Sequence, residues 1–210
     1  CTLCNDLSYL TIPAQTLPDS ASTTTSVDVV IRSHNDLPLV EQTLNELAKQ
    51  DAKIRLTAFD NASTDGTREL LEKHGAHIHH VPAGTYVPGR VLNEAMEATE
   101  NEIVVFINSD CVPQSSHAVS SLVNAIENDT EIAAAFGRQV AQPDCWPLYK
   151  KDTEDTYGDG SRQKYWKHCF SMAFSAVRRS VWNDLPFRTD IQYSEDIDWT
   201  WRARQKGSKV

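Results

Sequence analysis

Several things are scarce in this chain, and each scarcity narrows what it can be. Glycine supplies only eight of 210 residues, so the sequence is not low-complexity and has the composition of a globular protein. Positive charge is in deficit: 20 Lys and Arg against 29 Asp and Glu leave a formal charge of -9. Nucleic-acid binding needs a clustered basic excess, so that class of partner is excluded. Any phosphate the chain holds is expected to need a cation. No apolar run approaches the roughly 20 residues of a membrane span, and the N-terminus lacks the charged, apolar and small-residue succession of a signal peptide. A cytoplasmic location is therefore the expectation. The five cysteines, at 1, 4, 111, 145 and 169, do not form a disulfide framework and suit a reducing compartment. Cys1 and Cys4 make a CxxC, but no second pair or suitably spaced Cys/His completes a zinc set.

What is present is 40% hydrophobic residues, enough to bury one large domain. Residues 1–26 carry prolines and the polar run from Ser20 to Ser26, and read as an arm or linker. From residue 27 a rhythm begins. Val27 to Ile31 is a β-branched apolar run that predicts a buried strand. Asn35 and Asp36 then stand where a cap would, before Leu39, Val40, Leu44 and Leu47 at helical spacing. Strand signals recur at 54–59, 76–81 and 103–108, and helix signals at 67–74, 90–100 and 116–128. Such alternation predicts a three-layer α/β/α domain around a mainly parallel sheet, in which ligands gather beyond the carboxyl ends of the strands. After a short strand at 133–136 the pattern breaks, and residues 137–170 read as a long irregular stretch of the kind that serves function. Order returns at Phe170 to Val177, and a helix is predicted from Glu195 or Asp196 to Lys206. Gly207 to Val210 resembles a helix stop and the start of another strand, and the first residue is Cys, so a chain cut from a longer parent is expected.

The strand-end loops hold the unusual residues. Asp110 closes the most apolar strand and could ligate a divalent cation together with substrate phosphates, or merely cap the turn that follows. Asp60 is placed in the same way after the second strand, where a carboxylate could accept a hydrogen bond from a base, whereas Asp65 suits a cap for the helix beginning near Thr67. Glu195, Asp196 and Asp198 either complement a helix dipole or deliver a general base. Trp199 and Trp201 are core or a sugar platform. His77 and His79 share a strand face without a carboxylate or thiol beside them, which favours ordinary histidines over a metal site.

Five segments in order resemble family 2 glycosyltransferases: Val27 to Asn35, Asp60 to Thr67, Pro88 to Asn93, Phe106 to Asp110 and Ser194 to Trp199. The resemblance covers residues 27–207 and implies a GT-A fold, with residues 27–136 binding a nucleotide-sugar and 137–210 the acceptor. It places Arg32, His34 and Asp60 on the nucleotide, and Arg90 and Asn93 around its pocket. The family's DxD element falls on Asn108 and Asp110, so the first Asp is replaced. An Mn2+ or Mg2+ cofactor would then rest on Asp110, the diphosphate and water. The catalytic base falls on Asp196, with Glu195 and Asp198 as alternatives, and the acceptor on Arg138, Gln139, Trp166 and Trp199. Rhamnosyltransferase-like members carry similar segments.

The implied partners are a nucleoside-diphosphate sugar and a saccharide or glycolipid acceptor, with the inner face of a membrane reached only through that acceptor. The implied reaction is an inverting transfer in cell-surface polysaccharide or glycoconjugate synthesis. Two other readings stand beside it. A sugar-phosphate nucleotidyltransferase should carry a glycine-rich loop after the first strand, and Arg32 to Asn35 has no glycine. A non-catalytic carbohydrate-binding or scaffolding domain would fit the replacement at Asn108.

Overall fold

A computed structural model describes residues 2–4, 26–157 and 170–210. In chain order the elements are β1 (Thr2–Cys4), β2 (Val27–Ser33), α1 (Leu39–Leu47), β3 (Ile54–Asn61), α2 (Thr67–Lys73), β4 (His77–Val81), α3 (Pro88–Glu97), β5 (Ile103–Asn108) and β6 (Val112–Pro113). They continue as α4 (Ala118–Glu127), β7 (Ala134–Phe136), β8 (Arg138–Val140), α5 (Pro147–Thr156), β9 (Phe174–Arg178), α6 (Arg179–Asp184) and α7 (Glu195–Gln205).

Six strands form the main sheet in the order β4-β3-β2-β5-β9-β7. The first four are parallel, as alternation with helices requires, and β9 runs antiparallel to both β5 and β7. Successive side chains of a strand point to opposite faces, and the two cores follow that rule. Val29, Ile31, Val105 and Ile107 pack with α1, α2 and α4 residues such as Leu44, Leu71 and Leu122. Val30, Val104 and Phe106 pack with Leu92, Trp182 and Trp199 of α3, α6 and α7. The expected three-layer α/β/α architecture is thus borne out. β2 lies at the centre because nearly every residue of it is buried, on both faces.

At the opposite edge from the strand-end loops, Asp28 is fully buried at the start of β2. Arg55 donates to it through Nε at 2.5 Å and Nη2 at 2.9 Å, and the amides of Glu100 and Asn101 donate at 2.9 Å each. Burial pushes its carboxyl up, but these donors outweigh it and hold the group below the usual carboxylate range.

Several local expectations are corrected. The stretch predicted irregular contains β8 and α5. The backbone of Thr2–Cys4, expected in an arm, pairs between β6 and β8 in a small separate sheet. Asn35 and Asp36 do not cap α1, which begins after Pro38 without a side-chain cap. Asp36 instead accepts from the amide of His34 at 2.7 Å and from the hydroxyl of Ser109. Asp65 stands one residue before Gly66, the N-cap of α2, which has no side-chain cap; it accepts from Thr67 N at 2.9 Å and ties down Leu37 N at 3.0 Å. The strand expected at the chain's end is visible as a parallel bridge between Lys209 and Ile132. The polar run at 20–25, Tyr165, Trp166 and Cys169 lie outside the described residues, as does the side chain of Cys4. Among the described residues no helix is long and apolar enough to cross a membrane.

Candidate active site

Parallel strands deliver their carboxyl ends to one edge, and the register here aligns them: Ser33 of β2 opposite Asp60 of β3, and Arg32 opposite Asn108 of β5. The loops that follow enclose a hollow of about 290 Å3 walled by Arg32, His34, Asp36, Asn61, Tyr86, Asn108 and Asp110. Two buried polar atoms point to unmet hydrogen-bonding capacity here: Asn61 Oδ1 and Arg32 Nε have no partner among the described residues. Buried polar atoms are normally paired, so an unpaired one in the wall of a hollow suits a ligand.

Arg32 is the hub. Its Nη2 donates to Asn108 Oδ1 at 2.6 Å and to the Met172 carbonyl at 3.4 Å, and Nη1 lies 3.7 Å from Glu195 Oε1. The reversal of β9 makes this possible, because it sets Ala173 against the end of β5, where its carbonyl accepts from Asn108 N at 2.9 Å. Met172 N in turn donates to Asp196 Oδ2 at 3.2 Å. One guanidinium therefore joins the donor-side strand ends to the first turn of α7.

The three carboxylates of that turn part company. Asp198 is held by Arg202 Nε at 2.8 Å with Arg188 at 3.8 Å, and does not line the hollow at the strand ends. Glu195 is 8% exposed, and burial pushes its carboxyl up, a shift the neighbouring Asp196 reinforces and Arg32 opposes. Asp196 is half-buried and, among the described residues, accepts from Met172 N and, at 2.8 Å, Ile197 N. Glu195 and Asp196 share a second hollow of about 430 Å3 with Tyr86, Pro88 and Tyr193. Tyr86 is thus a wall of both hollows.

Asp110 borders the first hollow, half-buried. Beside it Cys111 is buried, and burial with the Asp110 charge pushes its thiol up to about 12, so it is inert as a nucleophile. Among the described residues no group of three His, Cys, Asp or Glu could hold a metal ion by itself. With Asn108 Oδ1 taken by Arg32, and Asp36 by His34 N and the Ser109 hydroxyl, the donor set among the described residues rests on the Asp110 carboxylate. That suits Mg2+ or Mn2+ arriving with phosphates and water, and not a cage built by the protein.

Other sequence-derived candidates are placed elsewhere or used differently. Asp60 is fully buried and accepts from Ser33 Oγ at 3.0 Å, Ser63 N at 3.1 Å and Ser63 Oγ at 2.5 Å, so its carboxylate braces two loops and does not wall the hollow. His34 is exposed, with Nδ1 2.5 Å from the Asn61 carbonyl. Arg90 is exposed and lines neither hollow. Asn93 is a clamp: Oδ1 accepts from Trp182 Nε1 at 2.8 Å and Phe187 N at 2.9 Å, and Nδ2 donates to Phe187 O at 2.9 Å. Gly89, one turn earlier, explains its own motif, since a Cβ there would sit 1.8 Å from the Arg188 carbonyl oxygen. The motif braces the loop that leads to α7. Trp199 is fully buried, donates to Leu185 O at 2.5 Å and stacks on Phe187, so it is core; the exposed indole is Trp201. Gln139 is buried and donates to Ser171 Oγ at 2.5 Å, and Arg138 is half-buried on β8; neither lines a hollow at the strand ends. Trp166 lies outside the described residues. Asn61, Asp36 and Tyr86 were missed. Asn61 was available as the polar residue ending a strand, but Tyr86 sits in a loop with no periodic signal.

The fold is an α/β domain of the GT-A type. Residues 28–185 match the family described as Glycosyl transferase family 2, and the chain belongs to that family. The matched region stops before Glu195 and Asp196. The O-antigen chain rhamnosyltransferase WbaN of Salmonella anatum is 28% identical over 167 residues, covering 74% of this chain and 53% of its own. The poly(ribitol-phosphate) β-N-acetylglucosaminyltransferase TarS of Staphylococcus aureus is 29% identical over 194 residues, 87% of this chain and 33% of its own. This chain thus spans between a third and about half of those relatives. Among solved structures, the mannosyltransferase PcManGT of Pyrobaculum calidifontis with GDP-Man and Mn2+ superposes with a TM-score of 0.66 at 21% identity, over 87% of this chain and 53% of that one. Glucosyl-3-phosphoglycerate synthase of Mycobacterium tuberculosis with Mn2+, UDP and phosphoglyceric acid gives 0.62 at 20% identity, over 86% and 64%.

Proposed function

We propose that the chain binds a nucleoside-diphosphate sugar at the strand ends and transfers the sugar, with inversion, to an acceptor hydroxyl. The observation that carries this reading is Tyr86, which walls both the hollow of Asn61, Asn108 and Asp110 and the hollow of Glu195 and Asp196, so a sugar leaving one meets a carboxylate in the other. Asn61 Oδ1 is the group for a base or ribose donor, and Arg32 and Asp110 flank the diphosphate. Asp196 accepts the acceptor's hydroxyl proton while that oxygen bonds to the anomeric carbon. The carbon–oxygen bond to the diphosphate breaks, and its electron pair leaves with the phosphate. Glu195, buried and linked to Arg32, fixes the turn that presents Asp196. A divalent ion held by Asp110 and the donor phosphates would supply charge stabilisation for the leaving group. The relatives' names supply two acceptor chemistries, an O-antigen saccharide and a polyol phosphate, either of which would bring the enzyme to a cell-surface polymer.

Thermal stabilisation by UDP, GDP, dTDP and CDP, with and without Mn2+, tests the reading directly. A base-selective shift that needs the metal and is lost in Asp110→Asn is the expected result. No shift with any nucleotide would remove the donor site. Binding of nucleotide without turnover would favour the non-catalytic reading that Asn108 invites.

A further inference from the structure

Beyond the Glu195–Asp196 hollow lies a third depression of about 510 Å3, which adjoins it: Tyr193 and Ser194 line both. One wall is the face of α7 bearing Ile197, Asp198 and Trp201, residues that helical spacing puts side by side. The other is the loop carrying Arg188 and Tyr193. Two aromatic side chains stand open here, Tyr193 at 86% and Trp201 at 48% exposure. Exposed aromatic rings offer flat apolar faces with a polar tip, and such faces suit the C–H faces of sugar rings.

The charges say which acceptor fits. Arg188 is occupied by Asp190 through two bonds, at 2.8 and 2.5 Å, and Arg202 by Asp198 at 2.8 Å. Two arginines and two aspartates cancel, and the adjoining hollow adds only Glu195 and Asp196. Among the described residues that line this path, a phosphate-bearing chain would meet no cation that is not already paired, and two further carboxylates. A neutral chain would meet aromatic faces with hydroxyl-binding carboxylates and guanidinium edges between them.

We infer that this groove seats the acceptor's sugars beyond the reacting one, and that the acceptor is a neutral saccharide in that stretch, not a polyol phosphate. The inference rests on the donor and base assignment proposed above. Asp196 and Trp201 are five residues apart on α7, roughly 7.5 Å along the axis and about 140° around it, and Tyr193 and Ser194 line the hollows on which each opens.

The test is a titration of the full chain with a panel of neutral trisaccharides (rhamnose, mannose, galactose and N-acetylglucosamine) and with a ribitol-phosphate trimer, followed by saturation-transfer NMR. At least one neutral trisaccharide is expected to bind, with Trp201→Ala weakening it by about tenfold or more and Trp201→Phe restoring most of the loss. Tyr193→Ala is an independent second variant on the loop wall. UDP, GDP, dTDP and CDP titrated into the same samples report both folding and the donor site. If nucleotide binds but no trisaccharide does, or Trp201→Ala and Tyr193→Ala leave binding unchanged, or the ribitol-phosphate trimer binds more tightly, this inference falls while the donor site stands. If no nucleotide binds, the functional reading falls and takes this one with it.

Discussion

Asp60, behind the strand-end loops, and Glu195, at the start of α7, are both buried carboxylates, yet their surroundings treat them in opposite ways. Asp60 receives three hydrogen bonds from Ser33 and Ser63. Glu195 has a guanidinium 3.7 Å away, beyond hydrogen-bond length, and a carboxyl pushed up by burial. A carboxylate fully supplied with donors holds a structure together, because removing it strands its partners. One left short of donors costs stability, and its persistence marks the place where the fold serves chemistry.

The contrast can be broken in several ways. The largest expected effect is on turnover: Asp196→Asn should cut transfer by about 10²–10⁴-fold, the usual worth of a general base, with nucleotide-induced thermal shifts intact. Retained turnover would move the base to Glu195. Next, Asp60→Ala should lose about 2–4 kcal/mol in urea unfolding, since two hydroxyls and an amide lose their acceptor. Gly89→Ala should lose about 1–3 kcal/mol by forcing a Cβ against the Arg188 carbonyl, and should lower kcat because that loop leads into α7. The smallest effect sharpens the comparison most. Glu195→Gln is expected to raise stability at pH 7 by up to about 1 kcal/mol. A carboxyl whose folded-state value is raised stabilises while protonated, below about pH 4.3, and that contribution is lost as pH rises through the folded value. The Gln variant's advantage should therefore vanish near pH 4. An advantage independent of pH would mean that Glu195 titrates normally.

Which carboxylate was which could not be read in the chain. The strand ends were legible, because β-branched runs followed by polar loops are local signals, and Asn108 and Asp110 came to the hollow as expected. The partners were not. Ser33 meets Asp60 from 27 residues away and Arg32 meets Met172 from 140 away, and no local pattern encodes either meeting. The Gly-Arg-x-x-Asn segment was visible as a motif, but its partner, the backbone of Phe187 and Arg188, carries no side-chain signature. The resemblance places Trp199, and not Trp201, at the acceptor, yet two residues of helix rotation bury the first and expose the second. The helix at 147–156 was missed because its apolar residues, Leu148 and Tyr149, face outward and give no core-facing stripe.

The reversal of β9 has a consequence for how the protein comes into being. It joins the end of β5 to Ala173, and thereby brings Met172 and the first turn of α7 up to the Arg32–Asn108 pair. The early parallel strands can pair while much of the chain is still emerging from the ribosome, but the crevice cannot exist until residues 172–196 have docked. Contacts of such sequence separation close late and slowly. Refolding should therefore recover secondary structure before nucleotide binding, which makes the ligand a probe of the last step of folding.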